Sequence, residues 1–324
     1  MSADRRAQRV RRMSKDRLLV IAGTASRTLG ESVCTHLGQR VGKCDVSRFT
    51  DGEIFVQVEE NVRGVDLFVI QSTYPPADHL LELLMLIDAC KRSSARRITA
   101  VIPYYGYARA DRKDQPRVSI TAKLVANLIV SAGADRVLTM DLHSPQIQGF
   151  FDVPLDHLYA APVIMSHFAN LQTEGMVVVA PDAGAVKMAR SFAKRLDADL
   201  AIVDKRRTTP DRTEMMNLIG EVEGRNCIIL DDMINTAGTL RQAADALRER
   251  GAKRIIASAT HGVFSGKAFE NLEKAPIDEV TVTNTLPLRA ANAPEKIKVL
   301  DVSKLLSKAI LNIHHEESVS SLFI

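Results

Sequence analysis

Residues Ile229 to Leu240 read ILDDMINTAGTL: an apolar run, two adjacent carboxylates, then a short turn of small and hydroxyl residues. In open parallel sheets ligands bind beyond the carboxyl ends of strands, and a turn of small residues there lets backbone N–H groups converge on a phosphate. Thr236, Ala237, Gly238 and Thr239 suit that role. A helix starting near Thr239 would add its amino-terminal dipole. Asp231 and Asp232, expected to leave the strand, are acceptors for vicinal hydroxyls. Acids beside an anion cradle describe a sugar phosphate, although such a pair, taken alone, also reads as a solvated strand-end cap.

Working outward, LLVIAG (Leu18 to Gly23), DLFVIQS (Asp66 to Ser72) and ITAVIPYY (Ile98 to Tyr105) alternate with amphipathic segments of helical length. This is the pattern of a parallel α/β sheet. HLLELLMLIDACKR (His79 to Arg92) sets Leu80, Leu83, Leu84 and Ile87 at helical spacing, which predicts a core-facing helix. The pattern restarts with MVVVAP (Met176 to Pro181), LAIVDKR (Leu200 to Arg206), NCIILDD (Asn226 to Asp232) and RIIASATHG (Arg254 to Gly262). Two α/β lobes are predicted, over residues 18–156 and 157–324. The proline-bearing GFFDVPLDHLYAAPV (Gly149 to Val163) is the expected irregular linker.

At 324 residues the chain is long enough for two domains with separate cores, and a net charge of +4 implies only a mild anion preference. Much of the positive balance lies in residues 1–17, where RRAQRVRR reads as a solvated, disordered tail. No apolar stretch approaches the ~18 residues that a membrane span needs. Cys34, Cys44, Cys90 and Cys227 lack metal-ligand spacing and read as reduced thiols, so a cytoplasmic location is expected. Neither nucleic acid nor membrane is expected as a partner.

The Ile229 to Leu240 stretch resembles the phosphoribosyl pyrophosphate (PRPP) motif of type I phosphoribosyltransferases and ribose-phosphate pyrophosphokinases. FTDGEIFVQVEENVRG (Phe49 to Gly64), PYYGYARADRKDQPR (Pro103 to Arg117), TAKLVANL (Thr121 to Leu128), DLHSPQIQGFFD (Asp141 to Asp152), VDKRR (Val203 to Arg207) and ATHGVFSG (Ala259 to Gly266) together resemble the second family. The resemblance runs from about Leu18 to the carboxyl terminus. It implies two phosphoribosyltransferase-type lobes, each a mainly parallel sheet flanked by helices, with the active site between them. It also implies transfer of the diphosphoryl group of ATP to the anomeric hydroxyl of ribose 5-phosphate, giving PRPP and AMP.

Several site residues follow from the same resemblance. Phe49, Asp51, Gly52 and Glu53 would meet the nucleotide from a neighbouring subunit, together with Arg109 and Ala110; Ala110 stands where the family commonly has Gln. In the plainer reading, Asp51-Gly52 is a turn and Phe49 is core. Lys205 and Arg207 match the catalytic loop, where a cation pair follows charge on the transferring group. Arg207 would also reach ribose 5-phosphate, along with Asp231, Asp232, Asn235, Thr236, Ala237, Gly238 and Thr239. His143 and Asp182 match the Mg²⁺-associated pair, while Ala185 and Met188 depart from the family pattern. Arg63, Arg117, Gln148, Ser318, Ser320 and Phe323 match an allosteric site for phosphate or ADP, with Pro145 in place of a serine. A homo-oligomer, a hexamer in the family, is implied.

Asn235 takes a position usually held by Asp. An amide cannot accept the proton of a nucleobase, yet it can orient a hydroxyl or complete the hydrogen bonds of the loop. Two alternatives therefore stay open: a non-catalytic regulatory homologue, suggested by Asn235, Ala110 and Met188, and a phosphoribosyltransferase.

Overall fold

The computed structural model describes residues 17–168, 175–206, 215–289 and 293–323, with backbone alone for 204–206, 215–216 and 323. The basic tail lies outside the described residues, Arg17 excepted. The chain divides into two compact units, the first formed by described residues of Met1–Tyr159, Thr285–Pro287 and Ser303–Ile324, the second by those of Ala160–Asn284 and Leu288–Val302.

In the first unit, β1 (Leu18–Ala22), α1 (Arg27–His36), the hairpin β2 (Cys44–Arg48) and β3 (Ile54–Val58), β4 (Asp66–Ile70), α2 (Asp78–Arg92), β5 (Arg97–Ile102), α3 (Thr121–Ala132), β6 (Arg136–Met140) and β7 (Leu155–Leu158) follow in order. The main sheet has the order β1-β4-β5-β6-β7, and its pairs are parallel. Strand β4 is buried along its whole length, as a continuous apolar run requires when both faces are covered. Helix α2 buries Leu80, Leu83, Leu86, Ile87 and Cys90. Leu84, expected in that stripe, is half-buried at its margin. Lys91 and Arg92 in the last turn favour the negative end of the helix dipole.

The second unit contains α4 (Ala161–Phe168), β8 (Met176–Ala180), α5 (Val186–Leu196), β9 (Asp199–Arg206), β10 (Met215–Ile219), β11 (Asn226–Ile234), α6 (Gly238–Glu249), β12 (Arg254–Gly262), α7 (Ala268–Lys274), β13 (Glu279–Thr283) and β14 (Ile297–Leu300). Its sheet has the order β10-β9-β8-β11-β12-β13-β14; β10 runs antiparallel to β9 and the remaining pairs are parallel. The chain then returns to the first unit as α8 (Ser303–His314) and the 3-10 turn Val319–Phe323.

Two sequence expectations need correction. The segment Gly149 to Val163 is not irregular: it carries β7, which pairs in parallel with β6, and the start of α4. Its prolines sit where regular structure tolerates them, Pro154 just before a strand and Pro162 in the first turn of a helix. The unit boundary falls at Tyr159/Ala160, inside that segment. The second unit also does not extend to the carboxyl terminus, because α8 packs on α1.

A buried charge cluster explains where α8 goes. Asp66, fully buried at the start of β4, receives Arg97 Nε at 2.8 Å and Nη2 at 2.6 Å. His314 Nδ1 lies 2.8 Å from Asp66 Oδ2, and Arg97 also donates to the Ile313 carbonyl at 2.8 Å. The second unit has a similar cluster: Glu279 at the start of β13 meets His167 at 2.7 Å, Lys298 at 2.9 Å and Arg254 at 3.4 Å. The cysteines take no part. Burial pushes the Cys34 and Cys227 thiols up to about 11 and the Cys90 thiol up to about 12.

Removing one member of a buried ion pair leaves the other desolvated and uncompensated. Arg97→Ala is therefore expected to cost about 3 kcal/mol, read as a lower urea midpoint. Arg92→Ala, which breaks an exposed pair with Asp88, is expected to change stability by less than about 0.5 kcal/mol. Equal effects of the two substitutions would contradict a staple at Asp66.

Candidate active site

The carboxyl end of β11 differs from its expected form. The strand does not stop at the acidic pair but continues to Ile234, so Asp231 and Asp232 lie within it. Pairing with β12 explains the extension, because Asp231 stands opposite Ala259 and Met233 opposite His261. Asp231 is half-buried, and its Oδ1 accepts the amide of Asp232 at 2.9 Å. Burial, the neighbouring Asp232 and the charge of Asp182 push the Asp231 carboxyl up to about 8. The charges of Asp232 and Asp182 thus both oppose ionisation of Asp231.

After Ile234 the turn is built to keep one shape. Ala237 takes a left-handed conformation, φ 58° and ψ 12°, and α6 begins at the next residue. That conformation normally favours glycine. Here the Ala237 methyl is buried in the apolar core of the unit, which anchors the turn. A left-handed residue before a helix start exposes successive backbone N–H groups, the arrangement of an anion-binding nest. Gly238 is half-buried, while Thr236 and Thr239 are exposed.

Asn235 is held from the segment after β12. Its Oδ1 accepts the Ser265 hydroxyl at 2.6 Å, and its carbonyl accepts the Ser265 amide at 2.9 Å. Asn271 Nδ2 donates to the Thr236 carbonyl at 2.9 Å, and the amides of Val263 and Phe264 both reach the Ile234 carbonyl at 3.0 Å. Ser265 and Asn271 were missed as site residues; the ATHGVFSG motif was the available signal for Ser265.

At the end of β8, Asp182 is exposed, and its Oδ1 accepts the amides of Gly184 at 2.8 Å and Ala185 at 3.1 Å. This closes the turn into α5. Lys205 lies on β9 with its backbone paired to Met216. The side chains of Lys205 and Phe323, and Arg207 altogether, lie outside the described residues.

In the first unit, His143 is exposed in the turn after β6, followed by buried Ser144 and the 3-10 turn Pro145–Phe150. Gln148 is half-buried and donates to the Pro145 carbonyl at 3.0 Å. Gln146 Nε2 meets Asp111 Oδ2 at 3.3 Å, bringing the loop that carries Arg109 and Ala110 onto this turn. Arg109 is exposed and Ala110 half-buried.

The turn between β2 and β3 holds Phe49 to Glu53. Phe49 is 54% exposed and makes an edge contact with Phe55 at 5.5 Å, so it is not core. Gly52 has φ 95°, which its lack of a side chain permits, and Asp51 Oδ1 accepts the Glu53 amide at 3.0 Å. Arg63 and Arg117 are exposed in separate loops, and Ser318 and Ser320 are exposed together in the segment after α8. The Ser318 carbonyl accepts Asn312 Nδ2 at 2.8 Å and the Ser321 hydroxyl at 2.9 Å, fixing the turn after α8.

Parallel sheets with acidic and small-residue turns at the carboxyl ends of their strands define the α/β class in which ligands sit beyond those ends. Residues 18–133 match the family model described as the N-terminal domain of ribose phosphate pyrophosphokinase, and residues 206–324 match the phosphoribosyl synthetase-associated domain. The ribose-phosphate pyrophosphokinase of Brucella melitensis is 55% identical over 94% of this chain and 99% of its own. That of Gloeobacter violaceus is 52% identical over 98% and 96%. The crystal structure of phosphoribosylpyrophosphate synthetase from Mycobacterium smegmatis is 42% identical, covers 93% of this chain and all of its own, and superposes with a TM-score of 0.88. The chain belongs to the ribose-phosphate pyrophosphokinase family, a family of enzymes.

The raised Asp231 pKa sets the sign of a pH effect. Between its ordinary value of 3.8 and about 8, the folded protein keeps a proton that the unfolded chain releases. The stability contribution is full below that window and is lost as pH rises through it. In ligand-free protein at pH 8.5, Asp231→Asn is expected to melt at least ~3 °C higher than the wild type. The gap should close as pH falls toward 4, and a variant that melts lower at pH 8.5 would refute the crowding of charge.

Proposed function

We propose that this chain transfers the β,γ-diphosphoryl group of ATP to the anomeric hydroxyl of ribose 5-phosphate, forming PRPP and AMP. The turn from Asp231 to Thr239 carries the proposal: two carboxylates suited to ribose hydroxyls run into a rigid turn whose amides suit the 5-phosphate. Family membership supports the same chemistry. The anomeric oxygen attacks the β-phosphorus, the bond from that phosphorus to the α,β-bridging oxygen breaks, and AMP leaves with that oxygen.

Lys205 and Arg207 are assigned to the charge on the transferring group. A compact ammonium and a planar guanidinium meet phosphoryl oxygens in different ways and do not replace one another. Phe49, Asp51, Gly52 and Glu53 are assigned to the nucleotide of a neighbouring copy, together with Arg109 and Ala110. The exposure of Phe49 on a hairpin tip supports a role outside its own core.

Mg²⁺ is proposed as the cofactor, with His143 and Asp182 as its protein partners. Among the described residues no group of three or more His, Cys, Asp or Glu is placed to hold a metal. At a phosphoryl-transfer site substrate oxygens and water supply most ligands of Mg²⁺, so two protein partners are enough. When bound, Mg²⁺ would neutralise polyphosphate charge. Both proposed side chains are exposed, and Oδ1 of Asp182 accepts the turn amides described above.

The proposal extends to a cytoplasmic homohexamer in which Arg63, Arg117, Gln148, Ser318, Ser320 and Phe323 bind phosphate or ADP. No described helix is long and apolar enough to cross a membrane, and the four cysteines are free thiols, in keeping with a reducing compartment.

The decisive assay is AMP release from ATP and Mg²⁺, with and without ribose 5-phosphate. AMP is expected only with the sugar, and Lys205→Ala should lower kcat at least ~100-fold without unfolding the protein. Sugar-independent AMP, or none from folded wild-type protein, would overturn the proposal.

A further inference from the structure

The turn that carries His143 is secured by a residue with no role assigned so far. His157, on β7, is 7% exposed, and its Nε2 accepts the amide hydrogen of Leu142 at 2.9 Å. A ring nitrogen that accepts a hydrogen bond is unprotonated, so this imidazole is neutral with its proton on Nδ1.

The Leu142 amide needs such a partner. Asp141 donates to the Leu158 carbonyl at 2.9 Å, extending the pairing of β6 with β7 by one residue. Asp141 then turns away with φ 38°. The next amide, that of Leu142, therefore departs from the strand at a buried position, where an unmet N–H is costly. The imidazole supplies the acceptor. Tyr159 packs on the ring with centroids 4.6 Å apart, limiting its reorientation. On the far side of His143, the Ser144 carbonyl accepts the Ile147 amide at 3.1 Å and starts the 3-10 turn. The His143 backbone is thereby clamped from both directions.

We propose that His157 is a positioning residue for divalent-cation binding: through the Leu142 amide it sets the direction in which His143 leaves the sheet. The proposal rests on His143 meeting the cation. Without the imidazole acceptor, the amide would turn toward water and carry the adjacent His143 with it. A residue that orients a metal ligand typically changes metal affinity ten- to a hundredfold when removed.

The test uses Mn²⁺ alone, titrated into the full-length protein and followed by the loss of its free-ion electron paramagnetic resonance signal. Wild type, His143→Ala, His157→Ala and His157→Gln are compared, with KM for ribose 5-phosphate measured in parallel. Glutamine can present Oε1 close to the place of Nε2. His157→Ala is expected to weaken Mn²⁺ binding about tenfold, with His157→Gln staying within about twofold of wild type and KM for the sugar unchanged. If His143→Ala weakens Mn²⁺ binding and His157→Ala does not, the positioning role is overturned while the assignment of His143 stands. If His143→Ala has no effect, both fall. Parallel losses of Mn²⁺ and sugar binding that glutamine does not rescue would make His157 merely structural. Should the alanine variant not fold, His157→Phe keeps ring bulk without the acceptor and carries the same expectations.

Discussion

The carboxylate of Asp66 is the constraint on which the first unit depends. Placed at the first residue of β4 and shut off from solvent, it can remain charged only if the surroundings supply compensation. Arg97 gives a two-pronged contact from the first residue of β5, and His314 arrives from the last residue of α8. The arginine cannot turn away without also releasing the Ile313 carbonyl. One charge thus gathers two strands and a distant helix. Glu279 organises the second unit with an arginine at the head of β12, a histidine in the last turn of α4 and, in addition, a lysine on β14.

Both clusters lie at the amino ends of strands, where charges are matched and bonded. The opposite ends carry the turns assigned to substrate. There the balance is deliberately incomplete: Asp231 crowds Asp232 and feels Asp182, and the Asp231 carboxyl resists ionisation. Such crowding opposes folding, and it suits a place where hydroxyls or cations of a ligand can relieve it. In the second unit, bonded charge at one end and crowded like charge at the other separate what holds the sheet from what it presents.

Much of this arrangement was legible in the sequence, for a physical reason. Strands such as Asp66–Ile70 and Met176–Ala180 are buried along their length, so they appear as unbroken apolar runs. The helix over Asp78–Arg92 announces itself because one face is core and the other is water. Features set by distant contacts were not legible. The prolines between Gly149 and Val163 looked like breakers because nothing local says that a neighbouring strand accepts β7. Asp231 and Asp232 looked like an exit because polar residues seldom continue a strand, yet pairing with β12 carries the strand two residues further. The substitution of Asn for Asp at position 235 was visible, but its anchor, Ser265, lies thirty residues away and is met only in the fold. The home of α8 was hidden for the same reason.

The return of α8 to the first unit orders events in time. A chain emerging from the ribosome completes the strands of the first sheet before the second unit, while the helix that compensates Asp66 is made only after it. During synthesis of the entire second unit, on the order of ten seconds or longer, the first sheet must persist with that carboxylate matched by Arg97 and, more distantly, Arg96, without His314. Synthesis of α8 is therefore itself a locking step: the helix closes a sheet whose strands are made before the second unit, so a product truncated ahead of Ser303 lacks the clasp of its first-made unit.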